Sequence, residues 1–275
     1  MNTRKALTGS ILLGLMLPMA LAATPANNGE SLATGFSQMY NLNFSAAHRI
    51  FEGWQLSHPN DPLGAAANAS AYLFAEFDRL HILELDLFTD DRKLAGLEAL
   101  PDPKIKMVFE SELAKADDIA SKILADSPED RNALFARVLV EGLRGDYAVL
   151  IEKRNRAGLA FLQSSRAIAE KLIAIDPSYY DAYLAVGIEN YLLGLRSAPT
   201  RWLLRLSGSQ TNKEKGIASL ALTAEKGLYL KPYARLLIAI AALRDNDKGK
   251  AKQLLSGLAK QFPQNRLYRL ELSRL

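Results

Sequence analysis

Three histidines, His48, His58 and His81, are the imidazoles on offer for acid-base or metal chemistry, and the chain has no cysteine. Thiolate nucleophiles, disulfides and zinc-thiolate sites are therefore excluded. No histidine belongs to a His-Glu-x-x-His pair, the spacing that sets two ring nitrogens and a base on one helical face. His81 stands three residues from both Asp78 and Glu84, so one face of a helix would gather an imidazole and a carboxylate. That spacing is common on solvated helices, and the expectation is a structural histidine. The acidic pairs Asp90-Asp91 and Asp117-Asp118 invite an acid-base reading, but adjacent helical residues diverge by about 100°. They read as capping or solvated residues. Glu129 and Asp130 follow Pro128, at a helix start where negative charge offsets exposed amides. Gly142 and Gly145 read as helix-end residues beside Asp146. Neither a Gly-x-Ser-x-Gly elbow nor a glycine-rich phosphate loop is present. The sequence names no catalytic residue, no metal ligand and no cofactor.

Recognition chemistry is better represented. Tyr179, Tyr180, Tyr183 and Tyr191 are followed by Arg196, Arg201, Trp202 and Arg205. Tyrosine and tryptophan provide rigid area with a polar edge, and arginine provides a planar fork for carboxylates. Tyr180, Arg196, Arg201, Trp202 and Arg205 are the candidate binding residues, suited to a peptide, a chain terminus or an acidic glycan. The alternative is that Tyr183 and Tyr191 are core and the arginines solvate a loop. Thr200 to Leu206 sets Trp202 and three leucines around two arginines, a short amphipathic turn that would rest on a membrane interface or on the core.

The elements that must position these residues are helices. From Ser31 onward apolar residues recur at helical spacing without long strand-like alternation. Four stripes end just before Pro59, Pro128, Pro177 and Pro263, where proline cannot continue a helix. Counting back twelve, eight and five positions from each proline gives Ala47, Phe51 and Trp54; Ala116, Ala120 and Ile123; Ser165, Ala169 and Leu172; Ala251, Leu255 and Leu258. Small residues allow helices to approach closely, and larger ones fill the gap to the next unit. A helix pair of this kind cannot bury its apolar face alone, so neighbours must stack. The expected helices are 31–41, 45–57, 64–86, 106–125, 130–144, 147–175, 179–194, 213–228, 231–244 and 248–261. Thr89 to Pro103 and Gly194 to Asn212 read as loops, and Asp245-Asn246-Asp247 as a turn.

On these residues the chain resembles the tetratricopeptide repeat family. Tyr183, Val186 and Gly187 match the aromatic, aliphatic and small positions of a repeat's first helix; Ala251, Leu255 and Pro263 match the small, bulky and terminating positions of a second. Asn190 stands where the second aromatic belongs, and the spacing between the later prolines departs from the family period. The resemblance implies an all-α fold of stacked antiparallel helix pairs in an irregular solenoid, and a noncovalent protein- or peptide-binding adaptor. The alternative is an envelope enzyme for glycan or peptide processing, with carboxylates drawn together from distant helices.

At the N-terminus Arg4 and Lys5 precede an apolar run from Ile11 to Leu21, and Ala20-Leu21-Ala22 offers small residues for cleavage before Ala23. Residues 1–22 read as a signal peptide, 23–30 as a flexible segment, and 31–275 as the helical domain, with two halves meeting near 89–105. The expected location is the periplasm or the exterior. Removing Arg4 and Lys5 takes the formal charge from +4 to +2, with basic residues scattered, so nucleic acid is not an expected partner. Oligomeric state is left open.

Overall fold

The computed structural model describes residues 31–89, 91–96, 99–195 and 208–275, and within them all side chains except those of 91, 94 and 95. The signal-peptide and flexible-segment assignments to 1–22 and 23–30 lie outside these residues, as does Asp90.

Every regular element among the described residues is helical. The order is α1 (Leu32–Tyr40), α2 (Phe44–Ser57), α3 (Pro62–Arg79), α4 (Asp86–Thr89), α5 (Asp91–Gly96), α6 (Pro103–Asp126), α7 (Arg131–Asp146), a π-turn (Tyr147–Ile151), α8 (Asn155–Ile175), a 3₁₀ turn (Tyr180–Ala182), α9 (Tyr183–Gly194), α10 (Lys213–Lys226), α11 (Lys231–Arg244), α12 (Lys248–Gln261) and α13 (Arg266–Ser273). Their starts are chemically specified. Ser31, Asn43, Asp61, Asp102, Asp130, Asn212, Asp247 and Asn265 each accept a first-turn backbone N–H on a side-chain oxygen. Pro62 and Pro103 occupy the first helical position, where the missing N–H costs nothing.

The four proline stops hold. His58, Ser127, Asp176 and Phe262 follow α2, α6, α8 and α12 with φ of −133°, −135°, −138° and −125°, the extended backbone that a following proline imposes. Of the twelve residues counted back from these prolines, all but Trp54 and Ile123 are buried.

The helices pack in pairs, α1 on α2, α3 on α6, α7 on α8, α9 on α10 and α11 on α12. The first member of each pair also borders one interior space, and α3 packs directly on α7. One apolar core cluster runs from Leu32 to Tyr268. The two ends of the stack meet. The Tyr40 hydroxyl donates to the Tyr229 carbonyl (3.1 Å), the Asn265 amide to the Tyr40 carbonyl (2.8 Å) and the Gln264 N–H to Asn41 (3.2 Å). The Leu85 N–H donates to the Glu271 carboxylate at 3.3 Å, and Arg266 pairs with Asp78 at 2.8 Å.

Several elements depart from expectation, among them α4 (Asp86–Thr89) and the start of α6 at Pro103. Helix α3 stops at Arg79, not 86, because His81 takes a left-handed φ of 59°. The expected 147–175 helix is split by the π-turn and by Lys153 at φ 58°. Asp91–Gly96 is helical inside the expected loop, and α13 lies in a stretch given no element. The turn at Asp245-Asn246-Asp247 is present, with Asn246 at φ 61°.

The α9–α10 crossing depends on two glycines. A Cβ on Gly187 would meet Leu220 Cγ at 2.7 Å, and one on Gly216 would meet the Tyr191 backbone nitrogen at 2.5 Å. Alanine is favoured over glycine in a helix by about 1 kcal/mol. Backbone cannot yield as a side-chain tip can, and overpacking costs about 1–3 kcal/mol. Gly216→Ala is therefore expected to destabilise by a net ~2 kcal/mol, read from the urea midpoint at unchanged slope.

Candidate functional site

Helix α7 crosses α8 closely at paired glycines, where a Cβ on Gly158 would stand 3.3 Å from the Gly145 carbonyl. Immediately after Gly145 the backbone widens. The Glu152 N–H donates to the Tyr147 carbonyl (3.1 Å) and the Arg154 N–H to Ala148 (2.7 Å), an extra residue per turn of the kind often found beside functional sites. Gly145 stands beside Asp146 at the end of α7, where the backbone runs on into the π-turn, while Gly142 lies a turn earlier and faces Ser165.

Asp146 stands at that junction and borders two contiguous cavities. A smaller one, of about 60 Å³, is bordered by α1, α3, α7, α8, α9 and α11, and a larger one, of about 210 Å³, lies among α7, α8, α9 and α11. Asp146, Leu162, Ile188 and Tyr233 line both. The larger cavity also takes Phe88, Tyr191 and Arg244. Its walls are otherwise leucine, isoleucine, valine and glycine. The Tyr191 hydroxyl is buried without a hydrogen-bond partner, and its residue is 4% exposed. Arg244 donates to the Phe88 carbonyl at 2.7 Å.

The Asp146 carboxylate does not cap the π-turn that it precedes. Burial alone pushes its pKa up from 3.8 to about 7. The sign of its effect on stability follows: between 3.8 and about 7 the native state keeps a proton that the unfolded chain has released, so stability falls through that window and levels above it. Such a change in proton affinity is worth up to about 4 kcal/mol at ~1.4 kcal/mol per tenfold. Residual solvent contact of this half-buried side chain reduces the expectation to about 2 kcal/mol. Asp146→Asn is therefore expected to stabilise by that amount at pH 8 and by very little at pH 4, measured by urea unfolding at both.

Two other buried carboxylates anchor chain segments. Glu189, fully buried, accepts from Arg166 (2.6 Å) and from the Gln210 N–H (3.0 Å), while Asn190 accepts the Asn212 N–H (3.2 Å). Burial pushes the Glu189 carboxyl up, against the pull of these donors. Glu76 accepts from Arg79 through two bonds of 2.7 Å and from the Asp102 N–H at 2.8 Å. The C-terminal ends of the two expected loops, at Asp102 and at Gln210, are thus tied to buried acids.

Of the candidate binding residues, Arg196, Arg201, Trp202 and Arg205 lie outside the described residues, together with the whole 200–206 turn. Tyr180 is half-buried, stacked near Tyr183 (6.3 Å) with Lys226 over its ring (5.2 Å). It precedes α9 and Leu195 follows it, a separation of about 18 Å along a twelve-residue helix. Tyr191 is core, whereas Tyr183 is half-exposed and donates to the Pro177 carbonyl.

The histidines do not converge. His48 bonds Asn68 at 2.6 Å, His58 stacks on Trp54 at 4.0 Å, and His81 pairs with Glu84 at 3.2 Å. His81 and Glu84 lie beyond the end of α3, so they do not share its face with Asp78, which holds Arg266. Asp117 faces Arg137 and Arg144 while Asp118 faces Lys122. Asp130 caps α7. Among the described residues no group of three or more metal-ligating side chains forms, and no helix is long and apolar enough to cross a membrane.

In the sequence Asp146 stands out only as a neighbour of glycines. Its one local signal was the Gly142-x-x-Gly145-Asp146 run followed, after the π-turn, by Gly158. Compared with known families and with curated proteins, the chain matches no family model and no curated sequence.

Proposed function

We propose that the chain is a noncovalent binding protein built from tetratricopeptide-like helix pairs, an envelope adaptor that seats an apolar part of a protein or peptide in its interior cleft. The carrying observation is the cavity of about 210 Å³ with mainly apolar walls. An apolar occupant would remove these walls from water, at about 25 cal/mol per Å².

The enzyme reading draws on Asp146 and Asp181, which both border the smaller cavity. Both oxygens of Asp181 accept backbone N–H groups of residues 228–230, which fits a structural acid rather than a catalytic one. A space of about 60 Å³ is also too small for a sugar or a peptide unit.

Peptide-library selection on the mature protein, expected to begin at Ala23, tests the binding reading. A consensus with one apolar-stemmed anchor is expected, and it should vanish in the cavity-filled variant Ile188→Trp, shown by circular dichroism to be folded. No consensus, or one indifferent to cavity filling, would sink the reading.

A further inference from the structure

We propose that the cavity among α7, α8, α9 and α11 is a primary-amine site, taking an ammonium on Asp146 and its apolar stem along Leu162, Ile188 and Leu237. The inference rests on the binding reading above and names the chemistry of the anchor.

The larger cavity pairs an apolar wall with two polar groups placed to meet a ligand. One is the half-buried Asp146 carboxylate, bordering both cavities and making no capping hydrogen bond at the π-turn. The other is the buried Tyr191 hydroxyl. Among the described residues no lysine, arginine or histidine lines the smaller cavity, and in the larger one Arg244 is the sole basic residue of the described lining. Arg244 donates to the Phe88 carbonyl, and its charge bears on Tyr191; burial is what raises Asp146.

Around Asp146, α11 presents Tyr233, whose own hydroxyl is raised by burial and by the Asp146 charge. Helices α8 and α9 present Leu162 and Ile188, and Tyr40 and Asp181 stand across the smaller cavity. Each of these is apolar, neutral at pH 7 or, for Asp181, already saturated by backbone donors.

An isolated carboxylate in an apolar space is matched by a cation that brings both charge and N–H donors. A carboxylate ligand would meet like charge there, and an alcohol would leave the acid uncompensated. Tyrosine rings at 191 and 233 add faces for the ammonium. A volume of about 210 Å³ holds a ligand somewhat larger than benzene, which fills a dry cavity of about 150 Å³. That matches a lysine side chain or an arylalkyl amine.

The test titrates the full protein by calorimetry with 2-phenylethylamine, 2-phenylethanol and 3-phenylpropionate, and separately with selected peptides carrying lysine or norleucine at the anchor. The amine is expected to bind at least tenfold more tightly than the alcohol at pH 8. Its affinity should fall more than tenfold at pH 5.5, since Asp146, pushed up to about 7, must then lose a proton to receive it. Asp146→Asn should abolish the preference for amine over alcohol, and Ile188→Trp should abolish both. A small amine that binds while lysine peptides do not identifies a free-amine site; preference for lysine over norleucine identifies a side-chain site. Equal binding of amine and alcohol, or full amine affinity in Asp146→Asn, overturns the proposal. If peptides still require the open cavity but prefer norleucine, the amine inference fails and the binding reading survives.

Discussion

Asp181→Ala is expected to lower stability by about 4 kcal/mol. The carboxylate is 4% exposed and receives the N–H groups of Leu228 (2.9 Å), Tyr229 (3.2 Å) and Leu230 (2.8 Å) at the start of α11. It sits where the helix dipole is positive. Burial pushes its pKa up, and the three backbone donors with Lys231 pull it down. Alanine removes the acceptor and strands amides that no other residue is placed to serve. Hydrogen bonds to a charged group contribute about 1.5–3 kcal/mol each, and the exposed position of Leu228 lets water recover part of the loss. At about 2–4 °C per kcal/mol for a chain of this size, the melting temperature should fall by roughly 10 °C. Asp181→Asn keeps one acceptor oxygen and should lose about half as much. Equal losses in the two variants would mean that charge, not the acceptor set, is what matters.

Glu189→Ala is expected to cost about 3 kcal/mol and, unlike Asp181→Ala, to act locally first. It leaves Arg166 buried with only Glu170 (2.6 Å) and the Gly208 carbonyl as partners, and it strands the Gln210 N–H. Breaking a buried pair by removing one member is costly because a charge stays behind. Glu170 retains part of the compensation, which places the estimate at the low end. Hydrogen exchange at the Gln210 and Asn212 amides should accelerate by at least tenfold before global unfolding is affected. Unchanged exchange there would show that the anchor is redundant.

The helical architecture was legible because its signals are local. Pro59, Pro128, Pro177 and Pro263 end helices through their own geometry, and the residues counted back from them are buried because helical spacing puts them on one face. Asn and Asp caps act over two or three residues. What was not legible depends on distant partners. Asp181 lies in a run that matches a repeat's first helix, yet it serves α11, more than forty residues away. Asp146 carries no motif, and its character comes from cavities assembled from several helices. The stop of α3 at His81 is set by a left-handed residue that is not glycine, so no glycine marked it. Helix α13 interleaves charges with apolar residues over eight positions, too few for periodicity to declare itself. Tyr180 could be seen from sequence as an aromatic, but not that Tyr183 and Lys226 would surround it.

The closure of the stack has a consequence for how it comes apart. Open repeat arrays behave as one-dimensional chains of nearest neighbours, so terminal units fray and cooperativity decays with length. Here Tyr40, Asn41 and Asp78 are bonded to Tyr229, Gln264, Asn265 and Arg266, so α1 is an interior neighbour rather than an end. Fraying α1 exposes the aromatic contact between Tyr40 and Phe262 (5.5 Å) and opens the far side of the molecule with it. Such a ring has no cheap place to begin melting, and its unfolding should be a single concerted transition governed by contacts some 190 to 220 residues apart.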